Sequence, residues 1–317
     1  MVDTALESED PPLPSTIGGY AILRLLGAGA MGRVYLGRDQ AGAHAAIKVL
    51  KDAGDEPWRF AKEATVLQGD FGDAVAKLYD FDVAAEPPWI AMEYFSGVTL
   101  QQRLNRQGVL SEPTAAALGM RLAAGLKLLH NNRITHRDLK PSNIMIRDSG
   151  DPAIIDFGLA IDEGVPSEDK TATRVVVGTE HWMSPEYAKG DRSDFYRADM
   201  YSLGATIAHS VTGVHPRASR EFLELDGVGP KLTSLLTSLL DQNPARRPSA
   251  QTAEKRFFAI AAKDKTLGHT ITEMEAELST GTSQPTTVRR NAPPSVQNAE
   301  IAANHIRSTY TKTKDLV

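Results

Sequence analysis

Three polar residues stand close together in ITHRDLKPSN, residues 134–143: Asp138, Lys140 and Asn143. A fourth, Asp156, follows in IIDFG, residues 154–158. Amide and carboxylate oxygens are hard ligands. Asn143 and Asp156 therefore suit Mg²⁺, which takes one or two protein oxygens and fills its remaining positions with phosphate oxygens and water. A lone aspartate-phenylalanine-glycine is common by chance, but this order and spacing, after a glycine loop and a lysine, is not.

Upstream, LGAGAMGRVYLGRD (residues 26–39) holds G-x-G-x-x-G at Gly27, Gly29 and Gly32. Glycine lets the backbone approach a phosphate closely and adopt positive φ. The same pattern occurs in dinucleotide-binding turns, in loops over ATP and in hairpins that bind nothing. A dinucleotide turn requires a helix directly after the glycines, because the helix N-terminus holds the pyrophosphate. Here RVYLGRD follows and reads as a strand, so a hairpin fits better. The glycines alone do not separate an ATP lid from a bare hairpin. Lys48 closes AAIK on the third strand, and Glu63 lies in the helix after it. An ion pair between them would aim the ammonium at phosphates; taken singly, each reads more readily as solvated surface.

These groups need elements to hold them. Residues 20–83 are strand-like, with YAILRLLG, RVYLGRD, AAIKVL and KLYDFDV interrupted by one helical stretch, PWRFAKEATVLQ. WIAMEYF adds a further strand. After Gly97 the text becomes helical: residues 111–132 form a long helix with Ser111 as N-cap, and 197–213 an apolar helix closed by Gly213. PKLTSLLTSLL and SAQTAEKRFFAIAAK are two more helices, and IMIR and AIIDF are short strands. A strand-rich part followed by a helix-rich part makes the fold class α+β in two lobes.

The chain has 317 residues, of which 41% are hydrophobic and 24% charged, as in an ordinary soluble globular protein. Its net charge of −5 disfavours a nucleic-acid partner. With no cysteine, disulfides and thiolate metal sites are excluded. No apolar run approaches about 18 residues, so no membrane span is expected. The acidic, proline-rich start lacks the basic and apolar regions of a signal peptide, and a cytoplasmic location is expected.

Taken together, the motifs resemble those of the Hanks-type (eukaryotic-like) protein kinases, in particular the bacterial serine/threonine branch. The resemblance runs from about residue 20 to 262. It joins the glycine loop, AAIK, Glu63, HRDLKPSN, DFG, SPE (184–186), DMYSLG (199–204) and NPARRPS (243–249). It implies a bilobal protein-kinase fold: a disordered leader at 1–16, a kinase domain at 17–262 with its N-lobe at about 17–96 and C-lobe at about 97–262, and a largely disordered Thr/Ser/Pro-containing tail at 263–317. It implies ATP and Mg²⁺, with Mn²⁺ as a substitute, and phosphotransfer to serine or threonine hydroxyls of protein substrates.

Roles follow residue by residue from the resemblance. Gly27, Gly29 and Gly32 cover the phosphates. Lys48 contacts them and pairs with Glu63. Asp138 orients the substrate hydroxyl and accepts its proton, Lys140 steadies the γ-phosphate, and Asn143 and Asp156 hold Mg²⁺. Val34, Ala46 and Met145 sandwich the adenine, backbone groups of Glu93 and Phe95 pair with it, and Met92 is the gatekeeper. Core packing is an equally direct reading of Val34, Ala46 and Met145. D-x-K-x-x-N is similar to the serine/threonine pattern.

The resemblance also implies regulation. Arg137 precedes Asp138, and a phosphate on Thr171 or Thr173 in the activation loop would neutralise it, with Arg59 as a second partner. Thr179 helps to select serine or threonine. Glu186 and Arg247 form a buried pair. The expected enzyme is a monomer, or a transient homodimer during trans-autophosphorylation, and Thr282, Thr286 and Thr287 are candidates to recruit phosphothreonine-binding partners. The segment 213–241 is shorter than in similar kinases, which puts inherited docking surfaces in doubt. LDGVGPKLTSLL imitates a DNA-binding helix-hairpin-helix but reads better as the start of a packing helix. Other readings are a pseudokinase scaffold, which would lack one of Lys48, Asp138, Asn143 or Asp156, and a small-molecule phosphotransferase.

Overall fold

The computed structural model describes residues 13–29, 32–50, 71–156, 161–162, 182–191, 193–214, 225, 227–262 and 276–278. They fall in two compact units. The described parts of Met1–Ala61 and Leu78–Tyr94 make one, and those of Lys62–Lys77 and Phe95–Thr286 the other.

The first unit is an antiparallel sheet of β1 (Thr16–Ile17), β2 (Tyr20–Gly29), β3 (Gly32–Arg38), β4 (His44–Leu50), β5 (Leu78–Asp82) and β6 (Trp89–Glu93). Their spatial order is β1-β2-β3-β4-β6-β5. Side chains alternate between the two faces of a strand. Tyr35, Ala45, Ile47, Val49, Trp89 and Ala91 accordingly share one face and pack with Tyr20 and Tyr79 as a core. The other face takes the residues between them, and the register sets Val34 opposite Lys48, Lys48 opposite Ile90, and Ala46 opposite Met92. β-Branched and aromatic residues suit these positions because they fill a pleated, half-buried surface.

The second unit is mostly helical: α1 (Leu100–Gln107), α2 (Glu112–Asn131), α3 (Pro185–Ala188), α4 (Phe195–Thr212), α5 (Pro230–Leu239) and α6 (Ala250–Ala261). Ser111 caps α2 as the sequence indicates, its side chain accepting the Thr114 N–H. Gly213 ends α4 in the left-handed region at φ 71°, where a residue without Cβ is favoured. The alanines of α2 let α4 and α6 pack on it, and Ala115, Ala116, Ala117, Leu118, Leu122 and Leu126 are buried. α5 buries Leu232, Leu235, Leu236 and Leu239, as a packing helix does.

Two small sheets complete this unit. One runs β10 (Pro152–Ile154), β9 (Ile144–Arg147), β7 (Gly97–Thr99), and the other pairs β8 (Ile134–Thr135) with β11 (Ile161–Asp162). α1 is an element the sequence reading lacks. Its signal is a capping box in which Thr99 and Gln102 satisfy each other's backbone N–H groups. A second difference lies inside the expected tail, where residues 276–278 form a helical turn with Leu278 fully buried. Among the described residues, no helix is long and apolar enough to cross a membrane.

Candidate active site

Residues 136–143 follow β8 with little regular structure of their own, so their backbone groups need partners elsewhere. Asp199 on α4 supplies them. Its carboxylate accepts the His136 N–H at 2.9 Å and the Arg137 N–H at 2.8 Å, and His130 Nε2 stands 3.0 Å from the same group. Asp199 is fully buried. Burial alone would raise its carboxyl, but the hydrogen bond and charge of His130, with His136 and the Arg137 N–H, outweigh that and hold it below the ordinary range. Arg137 itself sits at φ 67°, a left-handed conformation costing about 1–3 kcal/mol, which these two bonds help to offset.

The loop held this way presents Asp138. Lys140 Nζ donates to Asp138 Oδ2 at 2.6 Å, and Asn143 Nδ2 donates to the same oxygen at 3.2 Å and to the Asp138 carbonyl at 2.9 Å. Oδ2 is thereby engaged twice, and among the described residues no group donates to Oδ1. A carboxylate fixed through one oxygen keeps the other as a directed acceptor.

Asn143 is 5% exposed and donates through Nδ2, which leaves Oδ1 as its acceptor atom, with the Ser142 hydroxyl 3.5 Å away and a lone pair for a ligand. Its carbonyl accepts the Ile155 N–H at 3.0 Å, and His136 Nε2 lies 3.2 Å from the Ile155 carbonyl. Asp156 comes next, just beyond β10, at φ 65°. One amide oxygen and one carboxylate are a donor set that fits Mg²⁺ completed by phosphate oxygens.

In the strand unit, Gly27 pairs with Val34 and Gly29 with Gly32 across the β2–β3 hairpin. The three glycines are not equivalent. Gly32 sits at φ 152°, and a Cβ there would collide with the Val49 carbonyl oxygen, whereas Gly27 and Gly29 have open space. Gly32 is thus required by the sheet itself. Lys48, 7% exposed, lies between β3 and β6 on the face that carries Val34, Ala46 and Met92. Glu93 ends β6 in this unit. Phe95 and Met145 belong to the helical unit, where they pack with Ala76, Ala153 and Ile155.

Arg137 donates to the Tyr187 hydroxyl at 3.1 Å, and its guanidinium lies 4.0 Å from the Phe195 ring centroid. The anticipated Glu186–Arg247 pair is bidentate, at 2.6 and 2.7 Å. Arg247 also donates to the carbonyls of Asp241 and Arg197. Burial alone would raise the Glu186 carboxyl, but the two hydrogen bonds from Arg247 and the arginine charge hold it below the ordinary range.

Of the expected residues, the helical unit gathers Asp138, Lys140 and Asn143 in one bonded cluster and ties Asp156 to it through Ile155. The strand unit places Val34, Ala46 and Lys48 on one face. Glu63, Arg59, Thr171, Thr173, Thr179, Thr282, Thr286 and Thr287 lie outside the described residues, as do residues 215–224 and 226 of the shortened segment. Sequence reasoning missed His130, His136 and Asp199 as positioning residues. DMYSLG signalled only that Asp199, an aspartate inside an apolar helix, needs buried partners, and not which ones.

The protein kinase domain family matches the chain over residues 20–258. The serine/threonine-protein kinase AfsK of Streptomyces coelicolor is 33% identical over an alignment covering 95% of this chain and 38% of that protein. The probable serine/threonine-protein kinase PkwA of Thermomonospora curvata is 34% identical over 77% of this chain and 34% of that protein. The serine/threonine-protein kinase PknB of Mycobacterium tuberculosis is 35% identical over 62% of this chain and 33% of that protein. The chain spans well under half the length of these curated relatives.

Proposed function

This chain belongs to the protein kinase domain family, and we propose that it transfers the γ-phosphoryl group of ATP to serine or threonine hydroxyls of protein substrates. The observation that carries the reading is Asp138, held through Oδ2 by Lys140 and Asn143 with Oδ1 left for a substrate hydroxyl. Oδ1 orients that hydroxyl and receives its proton as the oxygen attacks phosphorus and the bond to the departing ADP oxygen breaks. Lys140 sits on the carboxylate and offers its charge to the transferring group. Such a site works by positioning and charge neutralisation.

Asn143 Oδ1 and the Asp156 carboxylate would hold Mg²⁺, with Mn²⁺ able to replace it. When bound, the ion neutralises charge on the phosphate oxygens. Lys48 reaches for the phosphates from the sheet face, paired with Glu63. Gly27 and Gly29 leave the hairpin backbone open to them, and Val34, Ala46, Met145, Glu93 and Phe95 serve the adenine.

Trans-autophosphorylation of Thr171 or Thr173, with the new phosphate paired to Arg137, belongs to the same reading. So do a role for Thr179 in hydroxyl selection, recruitment of phosphothreonine-binding partners and a cytoplasmic location. Support comes from the serine/threonine kinases to which the chain is similar and from Lys140 in D-x-K-x-x-N.

Incubation of the full chain with γ-labelled ATP and Mg²⁺, followed by phosphoamino-acid analysis, tests it. Label on serine or threonine that disappears in Lys48→Met is expected. Absence of label with Mg²⁺ and with Mn²⁺, on the chain and on added myelin basic protein, would sink the reading in favour of a scaffold.

A further inference from the structure

Glu277 lies far along the chain from α2, yet it closes the start of that helix. Its Oε1 accepts the Ser111 N–H at 3.0 Å, and its Oε2 accepts the Ser111 hydroxyl at 2.7 Å and the Thr114 hydroxyl. Arg103 on α1 approaches the same carboxylate at 3.6 Å and donates to the Glu277 carbonyl at 3.4 Å. Arg103 is only 4% exposed, and its other anchor is the Gly108 carbonyl at 2.6 Å. The next residue, Leu278, is fully buried.

A helix start leaves backbone N–H groups unpaired and favours negative charge. Ser111 already caps α2 from within, so Glu277 is a second acceptor brought from 166 residues away. A buried guanidinium, two hydroxyls and an N–H converging on one carboxylate form a site with defined chemistry. Burial alone would raise the Glu277 carboxyl, but the bonds from Thr114 and Ser111, with the Arg103 charge, hold it below the ordinary range.

We propose that the helical unit carries, apart from the phosphotransfer residues, a recognition site for a glutamate–leucine pair, and that the chain's own Glu277 and Leu278 occupy it as a clasp. The clasp joins α1 to the start of α2. α1 follows directly on β7, whose Thr99 pairs with Met145 on β9, the strand that begins next to Asn143. The C-terminal segment is thereby fixed to the elements that border the phosphotransfer cluster, and their rigidity depends in part on it.

Hydrogen exchange on the full chain separates the clasp from ordinary helix capping. Ser111→Asp keeps a good N-cap acceptor but sets a second carboxylate against Glu277. Glu277→Ala removes the carboxylate, and Glu277→Gln, which keeps the shape, replaces it where the alanine form does not fold. Exchange across α4 reports the integrity of the fold. The expected result is an increase of about tenfold or more at residues 276–278 and at the Ser111 amide in each variant, with α4 unchanged. A synthetic peptide of residues 270–282 should restore slow exchange at Ser111 in the Glu277→Ala chain, whereas the same peptide carrying Glu277→Gln should not. Unchanged exchange at 276–278 in Ser111→Asp and in the Glu277 variant would overturn the proposal, as would equal binding of the two peptides.

Discussion

Asp199 accepts the backbone N–H of Arg137 at 2.8 Å from a position 62 residues later in the chain. That bond, with its neighbour to His136, fixes the segment from which Asp138 projects. The loop owes its shape to a buried carboxylate on a packed helix, and the proposed phosphotransfer would draw its precision from the core of the helical unit.

Removing that carboxylate should therefore act on turnover. Asp199→Ala leaves two N–H groups without their acceptor, at about 1–3 kcal/mol each. The Asp138 carboxylate then loses its fixed position, and a misplacement on the order of 1 Å can cost roughly 10²-fold in rate. Steady-state kinetics should show kcat falling by that order while nucleotide affinity is kept. A folded variant with unaltered kcat would separate the tether from catalysis.

The Glu186–Arg247 pair should act on stability. Arg247→Met leaves the glutamate partly buried and unpaired, and a loss of about 3–5 kcal/mol in urea unfolding is expected. Its pH dependence has a definite sign. The Glu186 carboxyl is held below its unfolded value in the folded chain. Its contribution is therefore complete above the unfolded value of about 4.3 and is lost as pH falls through the lower folded value. The stability gap between the unaltered chain and Glu186→Gln should narrow on acidification below about pH 4 and stay level above pH 6. A gap that widens on acidification would contradict the assignment.

The glycines of the hairpin should divide by phenotype. Gly32→Ala forces a Cβ onto the Val49 carbonyl oxygen and should lower the thermal midpoint of unfolding. Gly29→Val meets open space, so stability should hold while KM for ATP rises. Equal loss of stability in both would show that the whole turn is dictated by the sheet.

Much of this arrangement is legible in the residues. Ser111 and Gly213 announce the ends of two helices through chemistry local to one turn, and the structure places both ends there. Alternation along β3, β4 and β6 puts Lys48, Val34, Ala46 and Met92 on one face because a strand has period two. The cluster of Asp138, Lys140 and Asn143 spans six positions, close enough for local sequence to bring it together. His130, His136 and Asp199 were not legible as a set, because their relation is made by α4 packing under the loop, a long-range contact that no local pattern encodes. Glu277 escaped for a related reason: in a polar tail an acidic residue reads as solvated, and its partners lie more than 160 residues away.

The most direct measurement is the single-turnover rate of phosphorylation of myelin basic protein by the full chain and by Asp138→Asn at saturating ATP and Mg²⁺. The amide retains the size of the side chain but is a far weaker proton acceptor at that position. A fall of about 10²–10⁴-fold, with nucleotide affinity unchanged, is the predicted result. A rate within about threefold of the unaltered chain would contradict the assignment of Asp138 as the residue that receives the hydroxyl proton.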